Sequence, residues 1–189
     1  MKESMTERIA VTVRPYSDGD LAVLERTLGD PRMMTHLGGP ESAEKLRDRH
    51  RKFSALSADP TSGCVFVILV GNREVAAGTV GYWEKEWDGQ KVWETGWSVL
   101  PEFQGQGIAT AATALVIRLV AKLRSYRYLM AFPSVRNDPS NAICRKLGFA
   151  LLRESEFEYP PGSSSFLRCN IWRLDLFPSP TEDSTSEQL

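Results

Sequence analysis

The segment Ser98-Val-Leu-Pro-Glu-Phe-Gln-Gly-Gln-Gly-Ile-Ala-Thr110 constrains the fold more than any other, because an apolar strand-like stretch runs through Gly105 and Gly107 directly into a helical pattern. The first N–H groups of such a helix have no intrahelical partner, and glycine lets an anion reach the main chain without meeting a Cβ. Each favourable charge contact at the helix start is worth about 0.3–1 kcal/mol, up to about 2 when partly buried. The junction therefore reads as a phosphate cradle. A dinucleotide site would also need an acidic residue after the next strand, and Met130-Ala-Phe-Pro-Ser134 supplies none. A nucleotide P-loop would need Lys after its last glycine, where this chain has Ile108.

The flanking sequence places that junction in a mixed α and β domain. Ile9 to Arg14 alternates as a first strand, and Ser17 with Asp20 has capping-box spacing ahead of Leu21, Leu24 and Leu28. Ala43, Leu46, His50 and Phe53 repeat at helical spacing, with Lys45, Arg47, Arg49, Arg51 and Lys52 on the polar side. Cys64 to Val70, Val75 to Trp83 and Val92 to Val99 are β-rich runs separated by Gly71-Asn72-Arg73-Glu74 and Asp88-Gly89, which predicts an antiparallel meander. A helix follows, with Ile108, Ala112, Leu115, Leu119 and Leu123 as its expected stripe, then a strand from Tyr128 to Phe132. A short helix from Pro139 to Leu147 ends at Gly148, and strands near Phe149 to Phe157 and Phe166 to Leu176 complete the pattern.

The expected fold class is α+β: one mostly antiparallel, twisted sheet of about seven strands flanked by about four helices. Residues 1–7 are expected to be a flexible start and 8–177 the domain, with 178–189, the polar run PSPTEDSTSEQL, a disordered acidic tail. A net charge of −1 gives no field for wrapping nucleic acid, so that partner is not expected. The 3 cysteines fit neither a disulfide framework nor a zinc site, which points to a reducing compartment and no metal. No run reaches the roughly 18 apolar residues of a membrane span, and the start lacks a signal-peptide core, so a cytoplasmic protein without a membrane partner is expected.

Two motifs in order resemble those of the GNAT superfamily of N-acetyltransferases. Gln104, Gly107 and Ala109 are similar to its pyrophosphate loop, and Asn137, Ser140, Lys146, Gly148 and Phe149 to its second motif. Glu94-x-Gly96 resembles the branch of ribosomal-protein N-terminal acetyltransferases, RimJ and RimL. The resemblance covers roughly Arg8 to Leu176 and implies transfer of an acetyl group from acetyl-CoA to a primary amine, by direct attack through a tetrahedral intermediate. The acceptor would be a small-molecule or peptide amine, and the protein a monomer or homodimer.

The resemblance also assigns residues. The cofactor's pantetheine arm would pair with Trp97, Ser98 and Val99, with Val99 N–H donating to the thioester oxygen. Amides from Gln104, Gly105, Gln106, Gly107, Ile108, Ala109 and Thr110 would hold the pyrophosphate. Asn137 would hold the pantetheine or a water, and Lys146 lies near the same ligand. Glu94 is the candidate base, because it shares a strand face with Gly96 and Ser98; Glu84 is the next candidate. Relatives place a tyrosine acid where this chain has Cys144, so Ser140 or a water would take its role. His36, Trp83 and Glu84 are the candidate acceptor-binding residues, and Trp83, Trp87, Trp93 and Trp97 are read either as an acceptor wall or as core. Two rival functions share the cradle: a non-catalytic acyl-CoA sensor and a dinucleotide-dependent oxidoreductase.

Overall fold

The computed structural model describes residues 9–36, 38–158 and 166–178. The expected flexible start, and the tail from residue 179 onward, lie outside these. The chain begins with β1 (Val11–Pro15), α1 (Leu21–Leu28) and α2 (Ala43–Ala58). It continues through β2 (Gly63–Val70), β3 (Val75–Trp87) and β4 (Gln90–Val99) to α3 (Ile108–Leu123) and β5 (Tyr128–Ala131). It then adds α4 (Asp138–Lys146), β6 (Ala150–Glu158) and β7 (Phe166–Asp175). The 7-stranded sheet has the order β1-β2-β3-β4-β5-β7-β6. Only β4 and β5 pair in parallel; every other neighbouring pair is antiparallel.

Turn chemistry sets the meander. Asp88 and Gly89 both have positive φ, 48° and 73°, the geometry whose twist matches two flanking strands, and the ladder closes onto the turn at Trp87↔Gln90. This carries β3 four residues past the expected end at Trp83. β2 is buried at every position, because helices cover both of its faces. On one face α3 packs over Phe66, Ile68, Val80, Tyr82 and Trp93. On the other, Tyr16, Val65, Val67 and Leu69 pack with Val23, Phe53 and Leu56 of α1 and α2.

α1 is entered through a short 3-10 turn, Asp18–Asp20. Both Ser17 N–H and Ser17 Oγ–H donate to Asp20 Oδ2 at 2.8 Å, and the Arg14 guanidinium grips the same carboxylate with two bonds of 2.7 Å. The buried face of α3 differs from the expected stripe. It is Ile108, Ala112, Thr113, Val116 and Val120, while Leu119 is 38% exposed. Thr113 spends its hydroxyl on Ala109 O at 2.8 Å and so packs as an apolar side chain.

Candidate active site

The parallel pair that puts α3 beside the sheet also opens a cleft. β4 and β5 are paired only at Trp93↔Leu129 and Glu94↔Met130, and beyond those positions the strands separate. Leu100 N–H still donates to Ala77 O of β3 at 2.8 Å. Successive residues of a strand direct their polar groups to opposite edges, so the N–H groups of Trp97 and Val99 face the cleft. A cavity of about 550 Å³ occupies it, lined by Trp97, Ser98, Val99, the glycine loop, Asn137, Ser140 and Lys146.

The loop closes the phosphate end. Gly105 and Gly107 have φ of +74° and +77°, and a Cβ at either would meet no protein atom within 4 Å. Glycine is therefore demanded by backbone conformation, and the space above it is open to a ligand. The first helical amide with a partner is Ala111 N–H, on Gly107 O at 3.0 Å. Among the described residues, no N–H from Gly105 to Thr110 donates to a protein acceptor. Gln104 departs from the expected role: its N–H donates to Pro101 O at 3.2 Å, and its Nε2 to Val99 O at 2.8 Å, so it braces the loop. Gln106 turns its side chain back to Glu102 O at 3.0 Å and does not line the cavity.

The far wall is the start of α4. Asn137 caps this helix, with Oδ1 accepting Ser140 N–H at 3.1 Å, and Asn137 and Ser140 both line the cavity. Sequence reasoning missed the residue that holds this wall. Buried Asn141 donates from Nδ2 to Ser134 O and Asn137 O, both at 2.9 Å, and its Oδ1 accepts from Asn170 Nδ2 and Trp172 Nε1, both at 2.8 Å. One amide thus ties α4 to the end of β5 and to β7. Its signal was present only as a polar residue on the apolar side of a short helix.

A second cavity of about 500 Å³ lies on the α1–α2 side of the sheet and meets the first at Leu28, His36, Trp97, Ser98, Asn137 and Ser140. Glu94 and Trp83 line it, opposite each other in the β3–β4 register. Glu94 also pairs with Lys85 Nζ at 2.8 Å, its side chain 20% exposed. The expectation for Glu84 is corrected. It stands opposite Trp93, on the other face of the sheet, and accepts a 2.5 Å hydrogen bond from Tyr126 Oη–H. Being one residue from Trp83 in a strand puts it on the wrong side.

The tryptophans divide in the same way. Trp83 and Trp97 line cavities, whereas Trp93 is wholly buried against Tyr82 and Tyr126, and Trp87 packs on Phe132 and Phe157. Cys144 is fully buried in the core and lines neither cavity, and burial pushes its thiol up to about 12. It can serve neither as nucleophile nor as proton donor at the cleft. The end of α1 brings Leu28, and the connection between α1 and α2 brings Arg32, Met33, Met34 and His36, to the first cavity; of these only His36 was expected.

The family model described as the acetyltransferase (GNAT) domain matches residues 10–150. The chain belongs to the GNAT acetyltransferase family. Three solved structures share the GNAT fold with it. Ribosomal-protein-S5-alanine acetyltransferase from Vibrio fischeri is 20% identical, with TM-score 0.71 over 87% of this chain and 92% of that one. The Salmonella typhimurium acetyltransferase that modifies the N-terminal serine of ribosomal protein L7/L12 is 18% identical, with TM-score 0.70 over 87% and 94%. Spermidine N-acetyltransferase from Vibrio cholerae, solved with CoA and spermine, is 16% identical, with TM-score 0.70 over 88% and 95%. A search of curated proteins finds no match. A GNAT sheet with its single parallel pair also removes the dinucleotide-binding alternative, which needs a parallel doubly wound sheet. Among the described residues no helix is long and apolar enough to cross a membrane, and no cluster of His, Cys, Asp and Glu could hold a metal.

Proposed function

We propose that this GNAT enzyme moves the acetyl group of acetyl-CoA to a primary amine that enters through the second cavity. The observation that carries this reading is the row of unpartnered amides from Gly105 to Thr110, set at the mouth of the cleft between β4 and β5. Acetyl-CoA supplies an activated acyl thioester; the remaining work falls to the chain. The loop amides and the α3 dipole fit a diphosphate, and Lys146 at the same cavity adds a positive charge. The cleft-facing N–H groups of Trp97 and Val99 fit the amides of a pantetheine arm. A donor aimed at the thioester oxygen, the role assigned to Val99 N–H, contributes about 2.7–4 kcal/mol as charge develops.

The attacking amine must be neutral. Neutralising a lysine-like amine of pKa near 10.4 at pH 7 costs about 4–5 kcal/mol, and an α-amino group near 8 only about 1. Glu94 takes the proton. It lies five positions before Val99, about 16 Å along an extended strand, so it reaches an amine near Val99 through ordered water rather than directly. We assign Ser140, which lines both cavities, the return of a proton to the departing thiolate, directly or through a water, and His36 and Trp83, which line the second cavity, the acceptor contacts.

The test is coenzyme A release with a panel of primary amines, together with the acetylated product identified by mass spectrometry. Amine-dependent release of free thiol is expected. Binding of acetyl-CoA without turnover on any amine would instead make the protein a sensor.

A further inference from the structure

Strand register makes the sheet face beneath the second cavity a grid. Val67, Thr79 and Ser98 form one row, and Val65, Gly81 and Gly96 the next; Trp83 and Glu94 belong to the third. The middle row places two glycines side by side, so no side chain rises from the floor there, and β2 closely approaches Gly81, where a Cβ would stand 2.9 Å from Cys64 O. Trp83 partly fills the space from the adjacent row: a Cβ on Gly96 would stand 3.0 Å from Trp83 Cη2. Gly96 does not have a positive φ, so a side chain at this position is opposed by the indole, which would have to shift, and not by the backbone. Phe53 and Phe132 line the same cavity. Its carboxylates are already partnered, Glu94 by Lys85 and Glu41 by Arg49.

We propose that this trough selects an amine carried on a flat apolar stem, an arylalkyl ammonium group, with the ring lying along Trp83 and the Gly81–Gly96 floor and the amine directed toward Ser98 and the cleft. The proposal rests on the acetyl-transfer reading above. An aromatic ring gains a stacked partner and buried area here. A polyamine would bring further cations into a pocket whose carboxylates are taken, where an unpaired buried charge is costly. The same group occurs in a free arylalkylamine and at the N-terminus of a peptide that begins with phenylalanine, and the two sources are separated by assaying both.

The experiment measures kcat and KM for phenethylamine, a Phe-Ala-Ala peptide, methylamine and spermidine. It uses the parent, Trp83→Ala, Trp83→Phe and Gly96→Ala. The parent is expected to prefer phenethylamine or the peptide over spermidine by at least about tenfold in kcat/KM. In Trp83→Ala the preference for the aromatic acceptor over methylamine falls by about tenfold, through KM, and Trp83→Phe restores part of it. Gly96→Ala, which displaces the indole without backbone strain, lowers the same ratio. An enzyme that acetylates amines but prefers spermidine, or whose aromatic preference survives Trp83→Ala, overturns the trough. A parent that acetylates no amine overturns acetyl transfer itself.

Discussion

Two carboxylates illustrate how neighbours decide what an ionised group does. Asp20, whose side chain is 6% exposed, is lowered from 3.8 to about 2, first by the hydrogen bond from Arg14 and then by those from Ser17. Because its folded pKa lies below its unfolded one, its contribution is full above about pH 4 and is lost as pH falls through about 2. Arg14 is half exposed, so the contribution is about 2 kcal/mol rather than more. Asp20→Asn is therefore expected to lower unfolding free energy by about that amount at pH 7, with parent and variant converging near pH 2. Urea titrations at the two pH values check this. Glu94 is paired instead with Lys85 beside the second cavity. Glu94→Gln is expected to reduce kcat about 10²-fold near neutral pH while leaving the KM for acetyl-CoA close to the parent's. A pH–rate profile identical in shape and height to the parent's would remove Glu94 from proton transfer.

At the level of elements, the glycine loop was readable because its chemistry is local: positive φ at Gly105 and Gly107 and unpaired amides at the start of α3 all follow from a stretch of a dozen residues. Gly107→Val tests it. A β-branched residue at φ +77° is strained and projects into the cleft, so acetyl-CoA affinity should fall more than tenfold by calorimetry. Far-UV circular dichroism should stay native. The meander was equally legible from its turns. What sequence could not show was which strand face meets which cavity. Trp83 and Glu84 are adjacent in sequence yet lie on opposite faces of the sheet, and only the β3–β4 register puts Glu94 rather than Glu84 beside the second cavity. The α1–α2 connection was missed for another reason. Arg32, Met33 and Met34 have neither periodicity nor motif, and tertiary packing alone brings them to the cleft. Asn141 likewise shows its value only when Ser134, Asn170 and Trp172 arrive from other elements and, with Asn137 of its own helix cap, use every one of its hydrogen-bonding positions.

For the molecule as a whole, the arrangement of the two cavities determines the order of events. They meet at Ser98, Asn137 and Ser140, so in the proposed reaction donor and acceptor would come together where β4 and β5 part. A covalent acetyl-enzyme would need a nucleophile at that junction. Cys64, Cys144 and Cys169 are all buried, and burial raises each thiol; the nearby charge of Glu94 raises Cys169 further, to about 11. None lines either cavity. Ser98 and Ser140 stand at the junction, but among the described residues neither hydroxyl is hydrogen-bonded to a base. Direct transfer with both substrates bound is therefore the expected route, and initial-velocity plots against the amine at several acetyl-CoA concentrations should intersect. Parallel lines, or an acetylated protein in a mass spectrum taken with acetyl-CoA alone, would require an activated nucleophile and would overturn direct transfer.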